Sequence, residues 1–168
     1  MATGSLISEQ EYLSTTYKPN CEYIDGVLRQ KPMATEAHSA IQAELAYLVR
    51  ARFSQFKPNT EFTLKIRTGK YYVPDLVVQR RDFIQSPYAT APVHLCVEIR
   101  SPEDRVSEVF QKCEEYHDWG VEMCWVIDPE SRRAWEYRKG QLPTEVPAGG
   151  HLTAEGISIP LADVFAAL

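Results

Sequence analysis

Apolar residues recur along this chain at two spacings, and the points where one spacing gives way to the other mark its elements. Ser8 stands three residues ahead of Glu11, the spacing of a capping box, which predicts a short helix over residues 8–15. Two short β-prone runs, 21–24 and 27–31, flank Asp25-Gly26, a dipeptide suited to a two-residue hairpin turn. After Pro32, Ile41, Leu45, Leu48 and Val49 fall at helical spacing and predict a long helix from Thr35, its N-cap, to Phe53. Residues 61–67 alternate like a strand with one wet face, whereas 73–78 and 94–99 are continuous apolar runs, each broken by one acid, as in central strands. A second long helix follows Ser101-Pro102-Glu103, with Pro102 in its first turn and Val106, Val109, Phe110, Cys113 and Tyr116 on its inner face, and stops at Trp119-Gly120. Residues 121–127 form another buried strand, Asp128-Pro129 a turn, and 133–138 a strand returning upon it. The tail reads as loop, closed by a short apolar helix over 161–165.

A helix crossing between two apolar strands implies a parallel pair within an otherwise antiparallel sheet. The predicted fold is therefore α/β, a mixed β-sheet flanked by helices with an N-terminal β-hairpin. At 168 residues, 44% of them hydrophobic, the chain is long enough for one core and reads as a single domain, 1–168. No run approaches the roughly 20 apolar residues of a membrane span, and MATGSLISEQEYL lacks the basic patch and apolar core of a signal peptide, so a cytoplasmic protein without membrane contact is expected.

Composition narrows the function classes. Cys21, Cys96, Cys113 and Cys124 form no CxxC pair and read as structural thiols rather than zinc ligands. A formal net charge of −5 argues against coating nucleic acid by bulk electrostatics, so any such contact must be local.

Against this background two acids stand out, Asp75 in YYVPDLVVQ and Glu98 in VHLCVEIRS, both within apolar strands. Burying an ionised carboxylate is costly unless a cation offsets it, so the pair calls for a shared metal or for basic partners such as Arg67, Arg80 or Arg100. Glu98 and Arg100 share a strand face, and Lys112 and Tyr116 share a stripe on the helix that follows. Two carboxylates and a lysine are the groups that phosphodiester hydrolysis uses: acids to hold Mg²⁺ or Mn²⁺, and a cation to position the attacking water. Lys112 is otherwise a solvated lysine paired with Glu108 or Glu115.

Pro74-Asp75, then VEIRSPEDR at 97–105, then Lys112 and Tyr116, then GVEMCWVIDP at 120–129, with YIDG at 23–26 and His38, form an ordered set over residues 9–140. This set resembles the Uma-two family of restriction endonuclease-like proteins, a branch of the PD-(D/E)xK nuclease superfamily. The resemblance implies a restriction-endonuclease-like core with Asp75 and Glu98 as metal ligands. The superfamily's usual lysine stands two residues after the acid, where this chain has Arg100. Lys112 fits the displaced lysine of the Uma-two branch, leaving Arg100 to contact phosphate, since arginine is a poor general base. Glu22 and His38 match an acidic and a histidine position of the family, and Glu44 is a further candidate by analogy with a helix glutamate in the superfamily. Tyr116 would steady Lys112.

The expectation is a Mg²⁺- or Mn²⁺-dependent endonuclease acting on DNA. A homodimer is expected as well, with LADVFAAL as a self-association surface. Its rivals are a nucleic-acid- or metal-binding module that keeps the fold without cutting, and a hydrolase of small phosphates. A basic surface beside the acids, built from Lys65, Arg67, Lys70, Arg80, Arg81, Arg100 and Arg105, would favour DNA cleavage, and a closed pocket would favour a small phosphate.

Overall fold

Ser8 Oγ accepts the Glu11 N–H at 3.0 Å and starts α1 (Glu9–Ser14), as the capping-box spacing predicts. The computed structural model describes residues 6–168; residues 1–5, which open the segment read for a signal peptide, lie outside the described residues. The hairpin of β1 (Cys21–Ile24) and β2 (Val27–Gln30) turns at Asp25 and Gly26, with φ of 47° and 91°. Both residues in the left-handed region are what a two-residue turn between right-twisted strands requires. Thr35 Oγ1 then accepts the His38 N–H at 3.2 Å and caps α2 (Glu36–Arg52).

The next segment departs from the predicted pattern. β3 (Phe56–Thr60), with sequence FKPNT, carries no alternation, yet it pairs antiparallel with β6 (Leu76–Arg80) at the sheet edge, where the missing N–H of Pro58 is tolerated. The strand predicted over 61–67 shortens to β4 (Leu64–Arg67). It pairs with β5 (Lys70–Tyr72) and belongs to a second sheet of order β2-β1-β5-β4. The strand predicted over 73–78 begins only at Leu76, so Val73-Pro74-Asp75 is the step between the two sheets and Asp75 stands at a strand entrance rather than inside a strand.

β7 (Leu95–Ile99) pairs antiparallel with β6 and parallel with β8 (Met123–Asp128), and α3 (Val106–Trp119) makes the crossover between β7 and β8. α3 starts later than predicted. Asp104 Oδ2 accepts the Ser101 N–H and Oγ at 2.9 and 2.8 Å, so Ser101 to Asp104 form a separate turn that holds Pro102 outside the helix. β9 (Arg133–Arg138) returns antiparallel on β8, and β10 (Thr144–Glu145) completes a central sheet of order β10-β9-β8-β7-β6-β3. The tail is less loop than predicted: β11 (His151–Ala154) and β12 (Ile157–Pro160) form a hairpin ahead of α4 (Leu161–Phe165).

α2 and α4 pack Ile41, Leu45, Val49, Leu161, Val164 and Phe165 against Val78, Val97, Trp125 and Ile127 on one face of the central sheet. On the other face α3 packs Val109, Cys113 and Tyr116 against Val77, Cys96, Cys124 and Val126. Because Leu161, Val164 and Phe165 are buried in the chain's own core, LADVFAAL does not offer them as an apolar surface for self-association. None of the described helices is long and apolar enough to cross a membrane.

The pleat decides where the chemistry sits. Leu76 faces Val97 in the β6–β7 register, so Asp75 and Glu98, one step further along each strand, arrive at the same end of the sheet. Cys96 and Glu98 alternate with Val97, and Glu98 therefore faces α3 while Val97 and Ile99 face α2.

Candidate active site

Three acids in this region are buried, each with a cation against it. Asp75 is 3% exposed, Glu98 7% and Glu22 3%. Lys112 projects from α3 between two of them, its Nζ 2.5 Å from Glu22 Oε1 and 3.0 Å from Glu98 Oε1. One turn on, the Tyr116 hydroxyl donates to Glu98 Oε1 at 2.6 Å. The Lys112 ammonium also lies over the Tyr72 and Tyr116 rings, 5.3 and 5.9 Å from their centroids. β1 supplies Glu22, which also accepts the Val73 N–H at 3.0 Å and so ties the hairpin sheet to the step before Asp75.

Asp75 is gripped from three elements. Its Oδ2 accepts the Ile99 N–H at 2.7 Å, while Oδ1 lies 2.7 Å from Lys31 Nζ and 3.2 Å from His38 Nε2. Gln42, one turn after His38 on α2, donates to the Asp75 carbonyl at 2.7 Å. His38 Nδ1 is buried with no hydrogen-bond partner among the described residues.

These contacts polarise the two carboxyls in opposite directions. Burial raises the carboxyl of Asp75, but the His38 hydrogen bond and the Lys31 charge outweigh it and hold the group below the usual carboxylate range. For Glu98 burial prevails: with the Asp75 charge it raises the carboxyl above its ordinary value despite Lys112. Burial likewise works to lower Lys112, yet Glu98 and Glu22 raise it, so the ammonium stays protonated.

Glu22, Lys31, His38, Asp75, Glu98 and Lys112 all line one cavity of about 710 Å³. Glu61, Asp104, Glu108 and Glu115 bring its acids to seven, against four basic side chains, Arg29, Lys31, Lys70 and Lys112. Of the basic residues that would flank a DNA groove, Lys65 pairs with Glu9, Arg67 with Asp25, Lys70 with Glu115 and Arg80 with Asp82, while Arg81 and Arg105 are exposed with no ion-pair partner among the described residues.

Asp75, Glu98, Lys112, Glu22, His38 and Tyr116 are thus brought together, and two candidates are not. Arg100 follows the last residue of β7 and turns away, its Nη1 2.9 Å from Asp128 Oδ2, so it is an ion-pair residue rather than a neighbour of Glu98. Glu44 is half-buried on α2 outside the cavity; the α2 side chains that reach Asp75 are His38 and Gln42. Sequence reasoning missed Lys31 and Glu61. Lys31 ends the predicted hairpin strand just before Pro32, a lysine facing no obvious partner, and only the packing of the hairpin over Asp75 reveals its role.

Whether these residues suit a divalent ion is decided by their donor chemistry. Among the described residues no three His, Cys, Asp or Glu side chains are grouped as a ready metal cage. Mg²⁺ needs no such cage, since it keeps several waters and takes one or two carboxylates. Hard oxygen donors at Asp75 and Glu98 in an acid-rich cavity fit it.

A solved structure shares this fold. The structure of a protein described as "a putative nuclease belonging to DUF820" from Anabaena variabilis superimposes with a TM-score of 0.82 at 23% identity, covering 96% of this chain and 98% of that one. A DrdV–DNA complex gives a TM-score of 0.43 at 19% identity, over 64% of this chain and 10% of that one. No curated protein matches. The profile of the Uma2 family, described as "Putative restriction endonuclease", matches residues 9–162, from the start of α1 into α4 and so past the end of the motif set read from the sequence. By that match over nearly its whole length, the chain belongs to the Uma2 family.

Proposed function

We propose that this protein is a metal-dependent endonuclease that hydrolyses phosphodiester bonds in DNA, with Asp75 and Glu98 holding Mg²⁺ or Mn²⁺. The observation that carries this reading is that three buried carboxylates line one cavity with their cations, Glu22 and Glu98 against the Lys112 ammonium and Asp75 against Lys31. Such an ion, when bound, supplies activation of water and neutralisation of charge on the phosphate. The excess of acids lining the cavity makes that neutralisation necessary, because it repels an unassisted phosphate.

Lys112 cannot act as a base while Glu22 and Glu98 hold it protonated. Its Nζ lies within ion-pair distance of both carboxylates, and an N–H facing the cavity would orient the attacking water or a phosphoryl oxygen. Tyr116 fixes the Glu98 carboxylate that brackets Lys112, and His38 and Gln42 fix Asp75.

The pairing of five of the seven flanking basic residues, Lys65, Arg67, Lys70, Arg80 and Arg100, favours a second reading, a binding module that keeps the fold without cutting. Supercoiled plasmid incubated with Mg²⁺ or Mn²⁺ separates the two. Nicking or linearisation by the native chain, lost with EDTA and in Asp75→Ala, Glu98→Ala and Lys112→Ala, supports the nuclease. No cleavage above the EDTA control supports the binding module.

A further inference from the structure

Lys31 stands between two carboxylates of unequal standing. Its Nζ lies 2.7 Å from Asp75 Oδ1 and 2.8 Å from the Val73 carbonyl, but 3.6 Å from Glu61 Oε1, too far for a hydrogen bond. With Ile99 on Oδ2 and Lys31 and His38 on Oδ1, the Asp75 carboxylate has one acceptor position left. Part of the coordination that a metal would use is therefore filled by an ammonium, which supplies the charge compensation a buried carboxylate demands.

Glu61 is placed as an alternative seat for that ammonium. Its side chain is 32% exposed against 4% for Asp75, and it lines the same cavity. Its backbone is in the left-handed region at φ 50°, a strained position for a residue with a Cβ, and is held there by its N–H bond to the Asp75 carbonyl at 3.1 Å. Asn20 hydrogen-bonds its carboxylate. A lysine stem flexes without moving the backbone, so Nζ reaches Glu61 by side-chain rotation alone. Lys112 differs, being bracketed by two carboxylates within bonding distance.

We propose that Lys31 is a displaceable counter-ion of Asp75, holding that carboxylate until a divalent cation binds and then passing to Glu61. The proposal rests on the reading of Asp75 as a metal ligand. It makes the Lys31–Glu61 pair a determinant of metal affinity, distinct from the Lys112 cluster.

Isothermal titration calorimetry with Mn²⁺ tests it on the native chain, Lys31→Met, Glu61→Gln and the double variant. Removing the competing charge tightens binding in Lys31→Met by about tenfold or more, and removing the receiving carboxylate weakens it in Glu61→Gln. The double variant binds like Lys31→Met, because Glu61 acts only through Lys31. Binding unchanged or weaker in Lys31→Met, or a Glu61→Gln loss that persists in full in the double variant, overturns the proposal while leaving the metal site standing. Absence of Mn²⁺ binding by every chain overturns both. Should Lys31→Met not fold, Glu61→Gln at its partly exposed position decides alone, and unchanged affinity there overturns the proposal.

Discussion

The Lys112 ammonium lies 3.0 Å from Glu98 Oε1, joining a helix lysine to a strand acid fourteen positions earlier, across the turn from Ser101 to Asp104. Glu22 on its other side makes Lys112 the common counter-ion of two buried acids. Lys112→Met leaves both unpaired, and a loss of about 3 kcal/mol in folding stability is expected at neutral pH without metal. Cleavage per folded molecule should fall by about a hundredfold or more. Urea denaturation and plasmid nicking, measured on the same preparation, separate the two effects; full nicking activity in this variant contradicts the role given to Lys112.

Tyr116→Phe removes one hydrogen bond to Glu98 and almost no volume. A loss of about 1–2 kcal/mol is expected, as for a buried bond to a charged acceptor. Because the ring remains beside Lys112, cleavage should drop far less than in Lys112→Met. An equal drop in both variants would make the hydroxyl part of the reaction itself.

Asp75 and Glu98 should respond oppositely to neutralisation. The folded carboxyl of Asp75 lies below its unfolded value of about 3.9, so its contribution to stability is complete above that pH and is lost as pH falls through the folded value. For Glu98 the folded value lies above the unfolded value of about 4.3, so its contribution is most favourable below that pH and is lost as pH rises through the folded value. Without metal at pH 7, Asp75→Asn should cost about 2 kcal/mol or more, whereas Glu98→Gln should be neutral or stabilising. The Asp75→Asn deficit should shrink below about pH 4. Guanidinium melts in EDTA across pH 3–8 check both signs, and a destabilised Glu98→Gln at pH 7 would show that the Lys112 pair outweighs burial.

Metal should stabilise the native chain by linkage, raising the melting temperature as Mn²⁺ is added, by about 2.7 kcal/mol at a hundred times the dissociation constant. Asp75→Asn and Glu98→Gln should show no such rise. A rise retained in both would place the ion elsewhere in the molecule.

Arg100→Ala and Glu44→Ala test the residues that the fold keeps away from the cavity. Arg100→Ala leaves Asp128 without its guanidinium partner and should lower stability by about 1–2 kcal/mol, with cleavage per folded molecule unchanged. Glu44→Ala should alter neither measurably. Loss of nicking in a folded Arg100→Ala chain would return Arg100 to the phosphate.

Sequence alone determined the elements whose signal is local. The Ser8 and Thr35 caps, the Asp25-Gly26 turn, and the helical spacing of Ile41, Leu45 and Val49 act within a few residues and are met in the structure. The anomaly of Asp75 and Glu98 was legible for the same reason, since a charge in an apolar run is expensive wherever the chain folds. The helical repeat put Lys112 and Tyr116 on one stripe, and the resemblance to the Uma-two family singled out Lys112; the structure brings both to Glu98. The tertiary structure alone decided the partners. Antiparallel register set Asp75 opposite Glu98, and the docking of the hairpin sheet brought Glu22 and Lys31 over the pair from more than forty residues away. Arg100 went to Asp128 for a reason no spacing contains: β8 pairs parallel beside β7 and ends in an acid at the height of the guanidinium. Edge strand β3 escaped notice because its pairing depends on β6 and not on any pattern of its own. Charges are assigned by whichever opposite charge the fold brings nearest, and that distance is set by long-range packing, which sequence periodicity does not encode.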